Sequence, residues 1–183
     1  PGFFDSAFAI EHAASGTPAI SVIVPFHNAQ DNVADIVGAL QAQTWTNFEA
    51  LLVDDGSTDN TLIYLKAAVL GDDRFHVLAQ ENAGPGVARN TGLDAATGVY
   101  VTFVDCDDTP DLRELEVALE AIQRADADIA IWQSRHYDEQ TGKTHMSPDR
   151  WDASIWPKTF DPHDHADALF GTFRNWPWDK MFR

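Results

Sequence analysis

Short aliphatic runs alternate with helical stripes from residue 19 to residue 132, and that alternation leaves few folds open. Ala19–Pro25 (AISVIVP) is a continuous, largely β-branched run, the pattern of a strand buried on both faces. Val33, Ile36, Val37 and Leu40 then recur at the spacing of one helical face. A second strand, Glu49–Val53, stops at Asp54-Asp55-Gly56-Ser57, where Ser57 or Thr58 is placed to cap a helix carrying Leu62, Leu65 and Val69. Phe75–Ala79 reads as a third strand. Gly84-Pro85-Gly86 opens the next helix, with proline where its missing N–H costs nothing, and that helix ends near Gly98. Val99–Val104 is a fourth strand, closed by Asp105-Cys106-Asp107-Asp108. Thr109-Pro110 is then expected to cap a helix with Leu112, Leu115, Leu119 and Ile122 on one face, and Asp128–Trp132 is a fifth strand. Alternation with short connections predicts an α/β fold with a doubly wound, mostly parallel sheet flanked by helices.

Around that sheet region (19–134) lie a lead-in segment (1–18) and an aromatic-rich C-terminal extension (135–183) whose order the pattern does not reveal. Five of the six tryptophans fall at or after position 132, and most read as packing anchors. His163 and His165, beside Asp161 and Asp164, read as a solvated loop, because no partner stands at an established ligand spacing.

Composition narrows the functions. Twelve Lys and Arg against 29 Asp and Glu give a net charge of −17, which repels nucleic-acid phosphates and excludes non-specific DNA or RNA binding. No Lys/Arg cluster offers a polybasic membrane anchor. The single cysteine, Cys106, excludes an intrachain disulfide and a CxxC zinc site. No apolar run approaches the ~20 residues of a membrane helix, and no basic-then-apolar leader opens the chain. The expectation is a cytoplasmic protein, with any peripheral association at the inner face of the membrane resting on parts outside this chain.

Ligands of an open parallel sheet bind at the carboxyl ends of its strands. Three such ends carry polar or acidic groups here: Pro25-Phe26-His27-Asn28, Asp54-Asp55-Gly56-Ser57 and Asp105-Cys106-Asp107-Asp108. Carboxylates gathered in one cleft repel one another unless something positive sits between them. An Asp-x-Asp pair offers hard oxygen ligands suited to Mg²⁺ or Mn²⁺, whose shell water and substrate phosphate complete. The helix that starts at Gly84-Pro85-Gly86 presents free N–H groups to a phosphate. Arg89 reads equally as a phosphate ligand or as a surface arginine. Cys106 reads as a small spacer, since no base stands beside it.

ISVIVPFHN, LLVDDGSTDNT and ENAGPGVARNTGLDAATGVYVTFVDCDD, in that order, resemble the nucleotide-sugar-binding half of a family 2 glycosyltransferase of the GT-A fold, from Ile20 to Trp132. The resemblance implies an inverting enzyme of cell-envelope polysaccharide type. It would move a sugar from a nucleotide diphosphate, usually UDP, to a glycan, lipid-linked or protein acceptor with Mn²⁺ or Mg²⁺. By the same resemblance Pro25, Phe26, Asn28, Asp54, Asp55, Arg89 and Asp107 would contact the donor nucleotide, with Asp55 accepting from the base N–H. Asp105, Asp107 and Asp108 would form the metal site. WPWDKMFR is similar to a family stretch that would set Lys180 near the diphosphate. The family's general base lies in an acidic motif beyond such a stretch. The expectation is therefore a chain truncated before its base, Asp138-Glu139 falling too early in the order. Two rivals are weighed: a non-catalytic nucleotide-sugar-binding module, and a haloacid dehalogenase-like phosphatase, whose DxDxT motif Asp105–Thr109 resembles.

Overall fold

In the computed structural model, which describes residues 17–132, 134–138, 141–146 and 180–183, the elements run in this order: β1 (Ile20–Phe26), α1 (Val33–Gln41), β2 (Phe48–Asp55), α2 (Thr61–Ala68), β3 (Phe75–Gln80), α3 (Pro85–Ala95), β4 (Tyr100–Phe103), α4 (Glu114–Ala125), β5 (Ile129–Ile131), β6 (Arg135–Asp138), β7 (Lys143–Met146) and β8 (Lys180–Phe182). Six of these strands form one sheet in the order β3-β2-β1-β4-β8-β5, and β6 pairs with β7 as a separate hairpin. The pairs β2–β3, β1–β2 and β1–β4 are parallel, whereas β8 runs antiparallel to both β4 and β5. The sheet is thus mixed, with a parallel half that carries the three polar strand ends.

Alternation along the strands divides the core. Ile20, Val22, Val24, Ala50 and Leu52 pack with Val33, Ile36, Val37 and Leu40 of α1, Leu65 of α2, and Leu115, Leu119 and Ile122 of α4. The opposite face carries a smaller cluster of Ile23, Leu51 and Phe103, and there α3 lies against β1 and β2. Helices on both faces follow from the topology. The chain steps outward from β1 to β3 with α1 and α2 on one side, then returns to β4 through α3 on the other. The direction of winding therefore reverses between β1 and β4, the place where open α/β sheets form their crevice.

The structure corrects several sequence readings. The fifth strand spans only Ile129–Ile131 and does not lie beside β4, because the distant Lys180–Phe182 inserts between them. Neither Ser57 nor Thr58 caps α2, which begins at Thr61 with Asn60 before it; Asp59 Oδ1 instead accepts from the Thr61 N–H at 2.9 Å. Thr109-Pro110 precedes its helix by several residues, since α4 starts at Glu114. Within the polar stretch after Gln133, β6 and β7 are joined through Gly142, whose N–H donates to the Asp138 carbonyl at 2.8 Å. The start of the lead-in segment, most of the aromatic extension and the His163/His165 pair lie outside the described residues.

The α3 face is held by close approach more than by bulk. A Cβ at Gly92 would stand 2.5 Å from Ile23 Cγ2, so only glycine lets the helix sit this near β1. At the amino edge of the sheet the buried Glu49 Oε1 accepts from Ser21 Oγ at 2.6 Å, and from the Thr97 N–H and Oγ at 2.7 and 2.9 Å. Burial raises its carboxyl pKa, but these bonds outweigh that and hold it below the ordinary value. Gly38 of α1, by contrast, has nothing within 4 Å of a Cβ. Gly92→Ala should therefore destabilise by about 1–3 kcal/mol through overpacking. Gly38→Ala should stabilise by about 0.5–1 kcal/mol through helix propensity. Urea unfolding of both variants checks the pair, and equal effects would contradict this account of the α3 face.

Candidate active site

The carboxyl ends of β1 and β2 are laced together by side chains. Asn28, at φ 51°, places its N–H on Ser57 Oγ at 2.9 Å and accepts at Oδ1 from the Thr58 N–H at 2.8 Å. The Ala29 N–H donates to Thr61 Oγ at 2.9 Å. Ser57 and Thr58 therefore fasten the β1–α1 loop instead of starting a helix. Pro25 pairs with Val53 in the parallel ladder, and the buried Phe26 is opposite Asp54.

Asp55 organises the centre. Its Oδ1 accepts from Gln80 Nε2 at 2.7 Å and from the Ala83 N–H at 2.9 Å, and its Oδ2 accepts from the Gly84 N–H at 2.8 Å. Burial raises the carboxyl pKa, yet the bonds from Ala83, Gln80 and Gly84 and the neighbouring His27 together hold it below the ordinary value. A carboxylate has about four lone-pair positions, so three are filled and one is left on Oδ2. Thr91 Oγ donates to Gln80 Oε1, which fixes the amide that serves Asp55. His27 Nδ1 lies 2.8 Å from the Asp55 carbonyl. A carbonyl only accepts, so Nδ1 donates to it and Nε2 faces the Asn28 amide at 3.2 Å, while the Asn82 amide donates to the same Asp55 carbonyl at 3.2 Å. Gly56, at φ 65°, lets the chain turn here, since a Cβ would stand 2.6 Å from Asn82 N. Gln80, Asn82 and His27 carry this network without having been singled out in the sequence. The polar tract Gln80-Glu81-Asn82 before Gly84 was the available signal.

Asp54 faces the other way. Its Oδ2 accepts from the Ser57 N–H at 3.3 Å, while its buried Oδ1 has no hydrogen-bond partner among the described residues. Arg89, one turn into α3, donates from Nη2 to Asp105 Oδ1 at 2.6 Å, and its buried Nε is likewise without a partner among the described residues. Arg89 thus supplies positive charge to the acidic turn at the end of β4. That turn is closed by the Asp108 N–H on the Asp105 carbonyl at 3.0 Å. Asp107 is exposed, with no hydrogen bond or ion pair among the described residues. Lys180 opens β8 opposite Ile131, and Thr102 Oγ donates to its carbonyl at 2.9 Å, which brings it to the edge where β4 ends.

Among the described residues, no three His, Cys, Asp or Glu side chains converge on a metal position. The donor set fits a hard cation all the same, because Mg²⁺ and Mn²⁺ are commonly held by one or two carboxylates together with substrate phosphate. Asp105 is engaged by Arg89, whereas Asp107 is exposed. Cys106 packs half-buried against the larger core. Burial, with the charges of Asp107 and Asp105, pushes its thiol up to about 11, which matches the reading of a spacer.

The fold is a mixed α/β sheet with polar and acidic strand ends along one edge, and comparison with known proteins gives the family. The model of glycosyl transferase family 2 matches residues 21–182, and the chain belongs to that family. It is 40% identical over 124 residues to the glycosyltransferase GlyG of Streptococcus pneumoniae, covering 67% of this chain and 41% of GlyG. It is 34% identical over 172 residues to the putative glycosyltransferase EpsH of Bacillus subtilis, covering 91% of this chain and 47% of EpsH. The crystal structure of S. aureus TarS 1-349 in complex with UDP-GlcNAc superposes with a TM-score of 0.70 at 25% identity, over 90% of this chain and 45% of that one. The chain spans less than half the length of these relatives.

Two measurements check the site. Asp55→Asn sets an amide N–H against loop N–H donors and should cost about 1–3 kcal/mol at neutral pH. A carboxyl with a lowered folded pKa contributes stability above its unfolded value of about 3.9 and loses it as pH falls through the folded value. The gap between parent and variant in urea should therefore be full at neutral pH and close in acid; a gap constant with pH would contradict the network. Cys106 should react with iodoacetamide at neutral pH at under about a tenth of the rate of free cysteine, because only the thiolate attacks. The rate should rise steeply as pH approaches the thiol value of about 11. Rapid labelling at neutral pH would show an activated thiol.

Proposed function

We propose that this chain forms the donor-binding part of a glycosyltransferase that moves a sugar from a nucleotide diphosphate, with UDP favoured, to a glycan, lipid-linked or protein acceptor with inversion. The observation that carries the reading is Asp55: a buried, ionised carboxylate at the reversal edge with three donors in place and one acceptor position left. One N–H completes it, and the imino N–H of a uracil base supplies one. A base lacking that donor leaves the position unfilled, which is how a site built on hydrogen bonds discriminates. Membership of family 2 and the UDP-GlcNAc held by TarS support the same assignment.

In this reading Pro25 lies beside the base with Asp55, Asn28 fixes the loop beneath it, and Phe26 and Asp54, buried on the opposite face of their strands, support the pocket from behind. Asp107, exposed and uncommitted, would hold Mn²⁺ or Mg²⁺, with Asp108 beside it and Asp105 kept in place by Arg89. The metal would screen the diphosphate charge as the leaving group departs. Arg89 Nε and Lys180 would offer further donors to the phosphates. A phosphatase reading would need Asp105 as nucleophile, and its ion pair with Arg89 argues against that role.

Thermal unfolding with UDP, with and without Mn²⁺, tests the proposal. A ligand at 100 times its Kd stabilises by about 2.7 kcal/mol, and the larger shift should come with metal present. Asp107→Ala should lose the metal-dependent increment while keeping the parent melting temperature without ligand. A variant that responds to UDP and Mn²⁺ like the parent removes Asp107 from the site. Turnover of p-nitrophenyl phosphate by the parent would favour the phosphatase instead.

A further inference from the structure

A groove of about 520 Å³ opens on the far side of the Asp105–Asp108 turn, between the first turns of α4 and the chain that leaves β5. Its volume lies within the range of about 300–1,000 Å³ typical of small-molecule sites. Trp132 forms one wall while packing against the main core, so its ring is a fixed platform. Val117, half exposed on α4, faces the same space. Asp108 and Asp111 supply carboxylates to its lining, and burial pushes the neighbouring Glu114 carboxyl up to about 7. Of the two arginines that line the groove, Arg113 pairs with Glu116 at 2.8 Å, and Arg135 shares the lining with Asp108, Asp111 and Glu114.

We infer that this groove is an acceptor subsite for a neutral saccharide. The inference rests on the transferase reading above and gives it a substrate class. A sugar ring offers an apolar C–H face to an indole and hydroxyl donors to carboxylates, the two kinds of surface found here. A phosphate-bearing or uronate acceptor would meet an excess of negative charge in a chain already at −17. Asp108 belongs to both the groove and the acidic turn, so the groove adjoins the turn at which the metal is proposed.

The test is a two-dimensional amide and indole NMR titration of the 183-residue chain, with UDP and Mg²⁺ present. Its probes are gluco-, galacto-, rhamno- and N-acetylglucosamine tetrasaccharides, with a glycerol-phosphate tetramer as the anionic probe. At least one neutral tetrasaccharide should move the Trp132 indole and the amides of Glu114 and Val117. Val117→Arg, on an exposed helix face, should weaken that binding by about tenfold or more and leave UDP affinity within about twofold. The proposal is overturned if no neutral probe moves these signals, if the glycerol-phosphate probe moves them instead, or if Val117→Arg binds like the parent. Should UDP fail to bind the parent, the transferase reading falls separately, and the saccharide titration without UDP still reads the groove.

Discussion

The Asp55 carboxylate is the fastening on which the active edge depends. It takes two backbone N–H groups of the loop before α3 and one side-chain amide of β3, and so sets where α3 begins. The helix then carries Arg89 to the end of β4, where it meets Asp105. One buried charge thereby links three strand ends, and the hydrogen bonds that outweigh its burial make it stable there. Acid that protonates it loosens the loop, the start of α3 and the support of the acidic turn together.

The parallel half of the fold was legible because each strand is a run of β-branched or aliphatic residues ended by a turn former. Pro85 likewise announced α3 correctly. What escaped had weak or distant signals. Lys180–Phe182 is three residues long and pairs with residues some 50 and some 80 positions earlier, so no local pattern marks it as the strand that separates β4 from β5. Ser57 and Thr58 have the chemistry of helix caps, and the competing partner, Asn28, lies about 30 residues away. Asp59 and Asn60, equally able to start a helix, took that place.

The site was legible in its charges and obscure in its neutral partners. Asp55, Arg89 and the Asp105–Asp108 turn stand out in the sequence, but which of them pair does not. Arg89 could be a surface residue or a phosphate ligand on sequence grounds, and the structure pairs it with Asp105. Gln80 carries neither charge nor motif, yet with the Ala83 and Gly84 N–H groups it decides how many acceptor positions the Asp55 carboxylate keeps, while His27 and Asn82 bond to the backbone carbonyl of Asp55. Counting lone pairs requires coordinates.

The central claim is that the last acceptor position of Asp55 receives the nucleotide base. A crystal structure of the UDP–Mn²⁺ complex tests it most directly. The account predicts the uracil imino nitrogen at about 2.7–3.2 Å from Asp55 Oδ2, with the Ala83 and Gly84 bonds retained. A base bound elsewhere, with Asp55 still bonded only to Gln80, Ala83 and Gly84, would contradict it.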